Sequence, residues 1–515
     1  MKKQNTLKKF SAMLLLVTML LAYTGCNNAG PDTDQEKVFT VLQGVDATTL
    51  DPGMHSEGPT YNIDRQLYDT FLDQGDDMKV TASVAKNWTA VNETTWKFEL
   101  RDDVYFHDGE QLTASDVKFS IERILKPENK SAQIGNFKAI KKITVDNDFN
   151  LTMETDGPYP LLLTRLSALR LVPEHYVKEV GKEQFALKPL GSGPYKLSKW
   201  VKDESVELVA NDKYWGGEPE VKKVVFKPVP EAAARVMALQ KGEADLIVNL
   251  PPHQVADLEK NDKTAVESVS STRFIMLPFT TKNSAVSDVR VRQAVNYAID
   301  VDSIIENIFG GRATASSQPV GNFDLGYKKD LKPYGYNPEK AKQLLKEAGY
   351  GDGLKLRLGS PNGRYIMDKE VAEAVKLQLE QAGFEIDLTF EEWGNYATKT
   401  LQGTMDYDLW LIGWGSSTFD AGSTLNFWLN SALVTRYYQA DAKTTEFLDN
   451  TLNTALKTID ENNRVEMYHQ VIQKIYDDAA FVTLYQQEDL YGVSTRINWK
   501  ARPDETIRLV DASWK

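Results

Sequence analysis

Asp368-Lys-Glu-Val-Ala-Glu-Ala-Val-Lys-Leu-Gln-Leu-Glu-Gln-Ala-Gly-Phe-Glu-Ile-Asp-Leu-Thr-Phe390 decides the fold class. Asp368 to Ala382 reads as a helix stopped at Gly383. Phe384, Ile386, Leu388 and Phe390 then alternate with Glu385, Asp387 and Thr389, so the apolar period switches from 3.6 to 2 within one residue. The unit before it has the same form. Asn337-Pro338 supplies N-cap and first helical residue, Leu344 and Leu345 give an apolar face, and Gly349 ends the helix before a strand at Leu354 to Leu358. A third unit runs from Trp393 through Leu401 and Gly403 into Tyr407-Asp-Leu-Trp-Leu-Ile-Gly413, an apolar run of the kind buried on both faces. Alternating helices and strands predict α/β layers.

Upstream the pattern is more mixed. Lys37 to Gln43 reads as a buried strand, and Ile63, Leu67 and Phe71 recur every four residues on a helix expected over Thr60 to Leu72. Trp96, Phe98 and Leu100 alternate with polar neighbours in a half-buried strand that leads to a turn at Asp108-Gly109. Thr113 and Asp116 have the spacing of a capping box, with Asp in the usual Glu place, and open a helix carrying Val117, Ile121 and Ile124 on one side.

The chain begins with Lys2, Lys3, Lys8 and Lys9, followed by an apolar run from Ala12 to Tyr23, too short to span a bilayer and typical of an export signal. Thr24-Gly25 before Cys26, the single cysteine of 515 residues, resembles a bacterial lipoprotein box, although Tyr23 stands where an aliphatic residue is usual. By that resemblance residues 1–25 are a signal peptide, Cys26 carries lipid, and 26–35 are a tether. The tether's Asn, Gly, Pro and Asp lack apolar periodicity. With no second cysteine, no intramolecular disulfide forms, and a body of this length holds together by core burial. A formal charge of −13, made more negative by loss of the leader lysines, argues against a nucleic-acid partner.

Signatures of catalysis are missing. There is no His-Glu-x-x-His, no Gly-x-Ser-x-Gly and no Gly-x-x-x-x-Gly-Lys loop. The five histidines (His55, His107, His175, His253, His469) are scattered, and the acid pairs Asp76-Asp77, Glu391-Glu392 and Asp477-Asp478 read as solvated surface in so acidic a chain. No catalytic residue, metal site or cofactor is expected.

The segment from Trp88 through Thr95-Trp-Lys-Phe-Glu-Leu-Arg101 and Phe106-His-Asp-Gly109 to Leu112-Thr-Ala-Ser-Asp-Val-Lys-Phe119 resembles the signature of the large peptide-binding receptors of ABC importers. The likeness continues through Gly191-Ser-Gly-Pro-Tyr195, Asn211 to Trp215, Gly242-Glu-Ala-Asp245, Val291 to Asp300 and Lys340 to Gly349, over nearly all of the chain after the leader. It implies a two-lobed α/β periplasmic-binding-protein-like clamp with an extra domain inserted in the first lobe. Lobe one would comprise residues 36–76, 189–275 and 488–515, the insert 77–188, and lobe two 276–487.

Two segments of lobe two are then candidates for the ligand. In Pro361-Asn-Gly-Arg-Tyr365 the resemblance implies that Arg364 grips a ligand carboxylate, which suits a planar, permanently charged fork, with Tyr365 beside it. In Gly413-Trp-Gly-Ser-Ser-Thr-Phe-Asp420 the aspartate that pairs with a peptide's ammonium in relatives is replaced by Ser416 or Ser417. Asp420, or the Ser416, Ser417 and Thr418 loop, is left to take its place, and this form resembles glutathione-type receptors. Trp393 and Trp414 are expected to wall the pocket. The implied protein is a monomeric, lipid-anchored receptor on the outer side of the cell membrane or in the periplasm. It captures a short peptide or peptide-like solute and passes it to a permease driven by a separate ATPase. The alternatives are a nickel chelate, an opine or an oligosaccharide as ligand, or, in another class, a lipid-anchored hydrolase.

Overall fold

The computed structural model describes residues 37–282, 285–416, 418–432 and 437–515. The signal peptide, Cys26, the tether and Ser417 lie outside the described residues. Three apolar cores organise the rest. One is centred on Phe39, Val41, Tyr68, Tyr195 and Phe226. A second gathers Phe71, Phe98, Val117, Ile121 and Leu151. The third and largest runs from Phe274 through Leu356, Val375 and Trp410 to Tyr485.

A nine-stranded mixed sheet passes between the first and third cores. Its strands lie in the order Ile412–Gly415, Thr264–Pro278, Phe481–Ser494, Leu246–Ile247, Val38–Gln43, Lys223–Pro228, Ser205–Ala210 and Tyr195–Val201, with Ala313–Ala315 paired to Phe481–Ser494. Thr264–Pro278 and Phe481–Ser494 are long antiparallel partners. Val269 packs on the first core, and Phe274 to Leu277 belong to the third. Their ladder breaks between Ser270 and Phe274. Such a bulge bends a strand and re-aims its side chains. Here the Ser271 hydroxyl accepts from the Arg273 amide at 3.1 Å, and the Gln486 amide donates to the Ser271 carbonyl at 2.6 Å. The bulge thereby turns Arg273 toward the space between the cores. The expected boundaries at 275/276 and 487/488 fall inside these two strands.

The helix–strand units of the second half form as the periodicity predicts. Leu354–Pro361 pairs in parallel with Phe384–Glu391, and helix Asp368–Gln381 connects them. Asn337 caps helix Pro338–Glu347 by accepting from the Lys340 amide at 2.9 Å. The apolar run Tyr407 to Gly413 is not one strand. Leu409–Trp410 joins the small parallel sheet beside Leu354–Pro361, and Ile412–Gly415 crosses to the edge of the large sheet against Thr264–Pro278. Burial on both faces explains the apolar composition, and composition carries no record of which sheet each residue joins. Under this crossing lies a cluster of Trp410, Trp428, Tyr437 and Tyr396 with ring centroids 5.0–6.3 Å apart. Trimming a ring of this kind costs roughly 3–5 kcal/mol, so the floor beneath the crossing is stiff.

The second core sits under an antiparallel sheet in the order Ala85–Asn92, Thr95–Leu100, Asn150–Thr155 and Ile140–Asn147. Helix Ala114–Leu125 covers it, opened by the capping box: the Asp116 carboxylate accepts from the Thr113 amide at 2.9 Å. The helix expected over Thr60 to Leu72 stops at Leu67. The chain then turns extended, and Phe71 enters the second core instead of the helix face. No helix among the described residues is long and apolar enough to cross a membrane.

Candidate functional site

A cavity opens where the large sheet, the small parallel sheet and the N-terminus of helix Gly58–Leu67 meet. Arg364, Tyr365, Trp393 and Trp414 line it, together with Glu57, Gly58 and Arg273. A larger hollow continues from it through Gly58, Arg273 and Trp414 to Ser416, Phe419 and Arg170.

Arg364 is delivered by a loop built for close approach. A Cβ on Gly44 would come within 1.7 Å of the Gly363 carbonyl oxygen, so only glycine lets the two segments touch. Asp368, at the head of its helix, accepts from the amides of Gly363, Arg364 and Tyr365 at 2.9–3.0 Å and pins the loop. Burial pushes its carboxyl up to about 6, against those hydrogen bonds. The Asn249 side chain donates to the Arg364 carbonyl at 3.0 Å.

The Arg364 side chain is 7% exposed. Its guanidinium lies 4.7 Å from the Tyr365 ring centre and 5.1 Å from that of Trp393, and Nε has no hydrogen-bond partner. Burial first, and then the charge of Arg273, lower its proton affinity, but an arginine remains charged. No carboxylate among the described residues forms an ion pair with it. Nη2 points at Gly58, where an added Cβ would sit 3.2 Å away, so the fork meets the amide end of a ten-residue helix. A guanidinium and a helix N-terminus directed at one place favour an anion.

Arg273 differs. Glu505 holds it through two contacts, Nε to Oε1 and Nη2 to Oε2, and its Nη1 donates to the Gly413 carbonyl at 3.0 Å. Burial opposes its charge, yet the Glu505 carboxylate outweighs burial and keeps the guanidinium above its usual range. The pair is neutral and fixes Gly413. A Cβ there would come within 2.6 Å of the Tyr365 ring and 2.9 Å of Arg273 Cδ.

Behind Gly58 lies a buried charge cluster. His55 Nε2 contacts Asp64 at 2.5 Å, and Nδ1 is 3.6 Å from Glu57. Burial depresses the imidazolium, but the Asp64 and Glu57 carboxylates outweigh it and raise His55 to about 9. Burial likewise opposes ionisation of Glu57, and the opposing His55 charge brings it down to about 2. The Thr60 hydroxyl donates to the Glu57 carboxylate at 2.9 Å, and the Thr48 hydroxyl contacts it as well, so its charge is directed into the protein.

The loop after Trp414 is arranged otherwise than expected. Trp414 stacks on Phe427 at 4.2 Å and walls both hollows. Ser416 borders the larger one. Asp420 does not reach either. It caps helix Ala421–Leu429 by accepting from Gly422 at 2.8 Å, and it receives Arg464 Nε at 3.1 Å, at 3% exposure. A carboxylate buried against an arginine and a helix N-terminus has no orientation left for a ligand ammonium. The Thr418 hydroxyl turns to Ser423 at 2.8 Å and also stays off the cavity wall.

Sequence reading missed Glu57, Gly58, Arg273 and Glu505. They belong to different segments that only the fold assembles. Four of the eight non-glycine residues with positive φ among the described residues lie at or next to this place. Asn249, Met367, Phe419 and Glu505 are non-glycine residues with φ between 51° and 58°, and Asn249, Phe419 and Glu505 line the cleft while Met367 ends the Arg364 loop. Strain of this kind gathers at ligand clamps.

Packed cores joined by two crossing strands, with a charged, aromatic-walled cleft between them, are the build of a solute-binding protein. Residues 79–434 match the family described as bacterial extracellular solute-binding proteins, family 5, and the chain belongs to that family. It is the solute-binding component of an ABC importer, works outside the cytoplasm and is not an enzyme. It is 28% identical over 492 residues to a glutathione-binding protein of Pectobacterium atrosepticum, covering 92% of this chain and 94% of that one. It is 24% identical to an oligopeptide-binding protein of Bacillus subtilis, over 100% and 99% of the two chains. The structure of a periplasmic binding protein of Helicobacter pylori in complex with the peptide STSA superposes with a TM-score of 0.86 at 26% identity, over 93% of this chain and 98% of the other.

Proposed function

We propose that the cleft binds a short peptide or peptide-like solute by a carboxylate held between Arg364 and the N-terminus of helix Gly58–Leu67. The observation that carries this reading is the Arg364 guanidinium, buried between two aromatic rings without a carboxylate of its own. An opposite charge about 4 Å away at an effective dielectric of 20 is worth about 4 kcal/mol before desolvation. A micromolar dissociation constant corresponds to about −8 kcal/mol, within reach of that contact plus burial of the solute against Trp393 and Trp414. The relatives named for glutathione and oligopeptides, and the bound tetrapeptide of the Helicobacter pylori protein, support the choice of ligand class.

We take the two lobes to be residues 36–76, 189–275 and 488–515 on one side and 276–487 on the other, with 77–188 as the insert and the strands Thr264–Pro278 and Phe481–Ser494 running from one lobe into the other. Ligand bridges them and biases an open–closed equilibrium toward the closed form. The chain acts as a monomer held at the membrane by lipid on Cys26. Calorimetric titration with matched peptide acids and C-terminal amides tests the ligand reading. The acid binds at least tenfold tighter if Arg364 reads the carboxylate. Equal affinities would remove that role and reopen the nickel-chelate, opine and sugar readings.

A further inference from the structure

Beside Arg364 a narrow crevice runs between Gly58 and the strand Phe481–Ser494. Three buried polar atoms of its lining residues lack hydrogen-bond partners: Nε of Arg364, Oε1 of Gln43 and Oδ2 of Asp489. Gln43 is 2% exposed and Asp489 4%. Native proteins satisfy nearly all buried polar atoms, so three that meet along one crevice leave a place where a ligand can supply the partner. One orphan is a donor on the guanidinium that takes the carboxylate. The other two are acceptors, one of them on a carboxyl group.

We propose that Asp489, assisted by Gln43, takes the primary ammonium group of the solute next to the carboxylate held by Arg364. This rests on the carboxylate reading above and adds the second charge of the ligand to it. Asp489 is placed rigidly. It lies opposite Val269 in the ladder, its Oδ1 is held by the Gln487 side chain, and the Ser271 hydroxyl also bonds its carboxyl, so the group sits fixed in the lining of the crevice. Glu505, the other carboxylate there, is spent on Arg273. Burial, then the Glu505 charge, push Asp489 well above the carboxylate range, with Ser271, Gln487 and Arg273 pulling the other way. An arriving cation relieves that pressure by compensating the ionised form. The loop after Trp414 offers no equivalent, since Asp420 is committed to Gly422 and Arg464 and Ser416 carries no charge.

The site thus fits a solute whose ammonium and carboxylate lie close together, as in a dipeptide or the amino-acid head of a γ-linked peptide. The test uses three equimolar pools of di- and tripeptides, γ-glutamyl forms included: free, N-acetylated and C-amidated. Equilibrium dialysis against the full chain is read by mass spectrometry of what is retained. The expected result is that wild type retains the N-acetylated pool at least tenfold less than the free pool, and that Asp489→Asn removes this preference. Gln43→Leu, which keeps the charge, should reduce retention of the free pool in the same direction even if the first variant folds poorly. Equal retention of free and N-acetylated pools by wild type would overturn the ammonium site. Equal retention of free and amidated pools would overturn the role of Arg364 instead, and retention of no pool would overturn the peptide reading and this site with it.

Discussion

Replacing Arg364 by methionine should weaken binding by about 30-fold or more without destabilising the ligand-free protein. The side chain is 7% exposed, its Nε is unpartnered, and it makes no ion pair of its own: its compensation comes from two aromatic faces at 4.7 and 5.1 Å and from the Glu505 and Glu57 carboxylates, of which Glu505 is paired with Arg273. Cation–π contacts return about 1–2 kcal/mol, whereas taking an ion out of water without an opposite charge costs several. Methionine keeps the stem and packs on the same rings. The free protein should therefore be unchanged or stabilised by about 1–2 kcal/mol. Binding loses the charge pair and leaves a ligand carboxylate buried alone, a cost of roughly 2–5 kcal/mol, or about 30-fold to several thousandfold in affinity. Urea unfolding of the ligand-free protein and calorimetry with the preferred peptide read the two quantities separately. A ligand-free protein destabilised by more than about 2 kcal/mol, with affinity intact, would refute the reasoning and make Arg364 a structural residue.

The His55 cluster predicts a pH dependence. Because the folded pKa is raised from 6.5 to about 9, the contribution of roughly 3 kcal/mol is fully present below pH 6.5 and lost as pH rises through 9, and His55→Gln should flatten urea midpoints over that range. Asp420→Asn should cost about 3 kcal/mol by stranding Arg464 while leaving affinity within threefold, measured by the same two methods. A tenfold loss of affinity with stability intact would put Asp420 back among the ligand contacts. Cys26→Ala should move the protein from the membrane pellet to the soluble fraction, and a variant that stays pelleted after salt washing would place the anchor elsewhere.

What the sequence revealed follows from how local each feature is. Helix Asp368–Gln381 and its following strand are specified by periodicity, an acidic first turn and Gly383 within about twenty residues, and they form where expected. Arg364, Tyr365, Trp393 and Trp414 were visible because their segments resemble a known pattern. Arg273 and Glu505 were not, for they lie 232 residues apart and meet only because the bulge at Ser270/Phe274 turns one strand toward the C-terminal segment. Asp420 was misread for a related reason. Its chain position near Trp414 suggests the ligand, but its partner Arg464 lies 44 residues on, and burial with that arginine decides its role. The split of Tyr407 to Gly413 between two sheets was equally hidden, since both destinations bury the same apolar residues.

The central claim is that this receptor captures a solute by its carboxylate in the Arg364 cleft. Denaturing the purified full chain and identifying the released small molecules by mass spectrometry tests it most directly. The account predicts one predominant species, a short peptide or peptide-like compound with a free carboxylate, recovered from wild type and lost from Arg364→Met. A neutral oligosaccharide, or the same solute recovered in equal amount from both proteins, would contradict it.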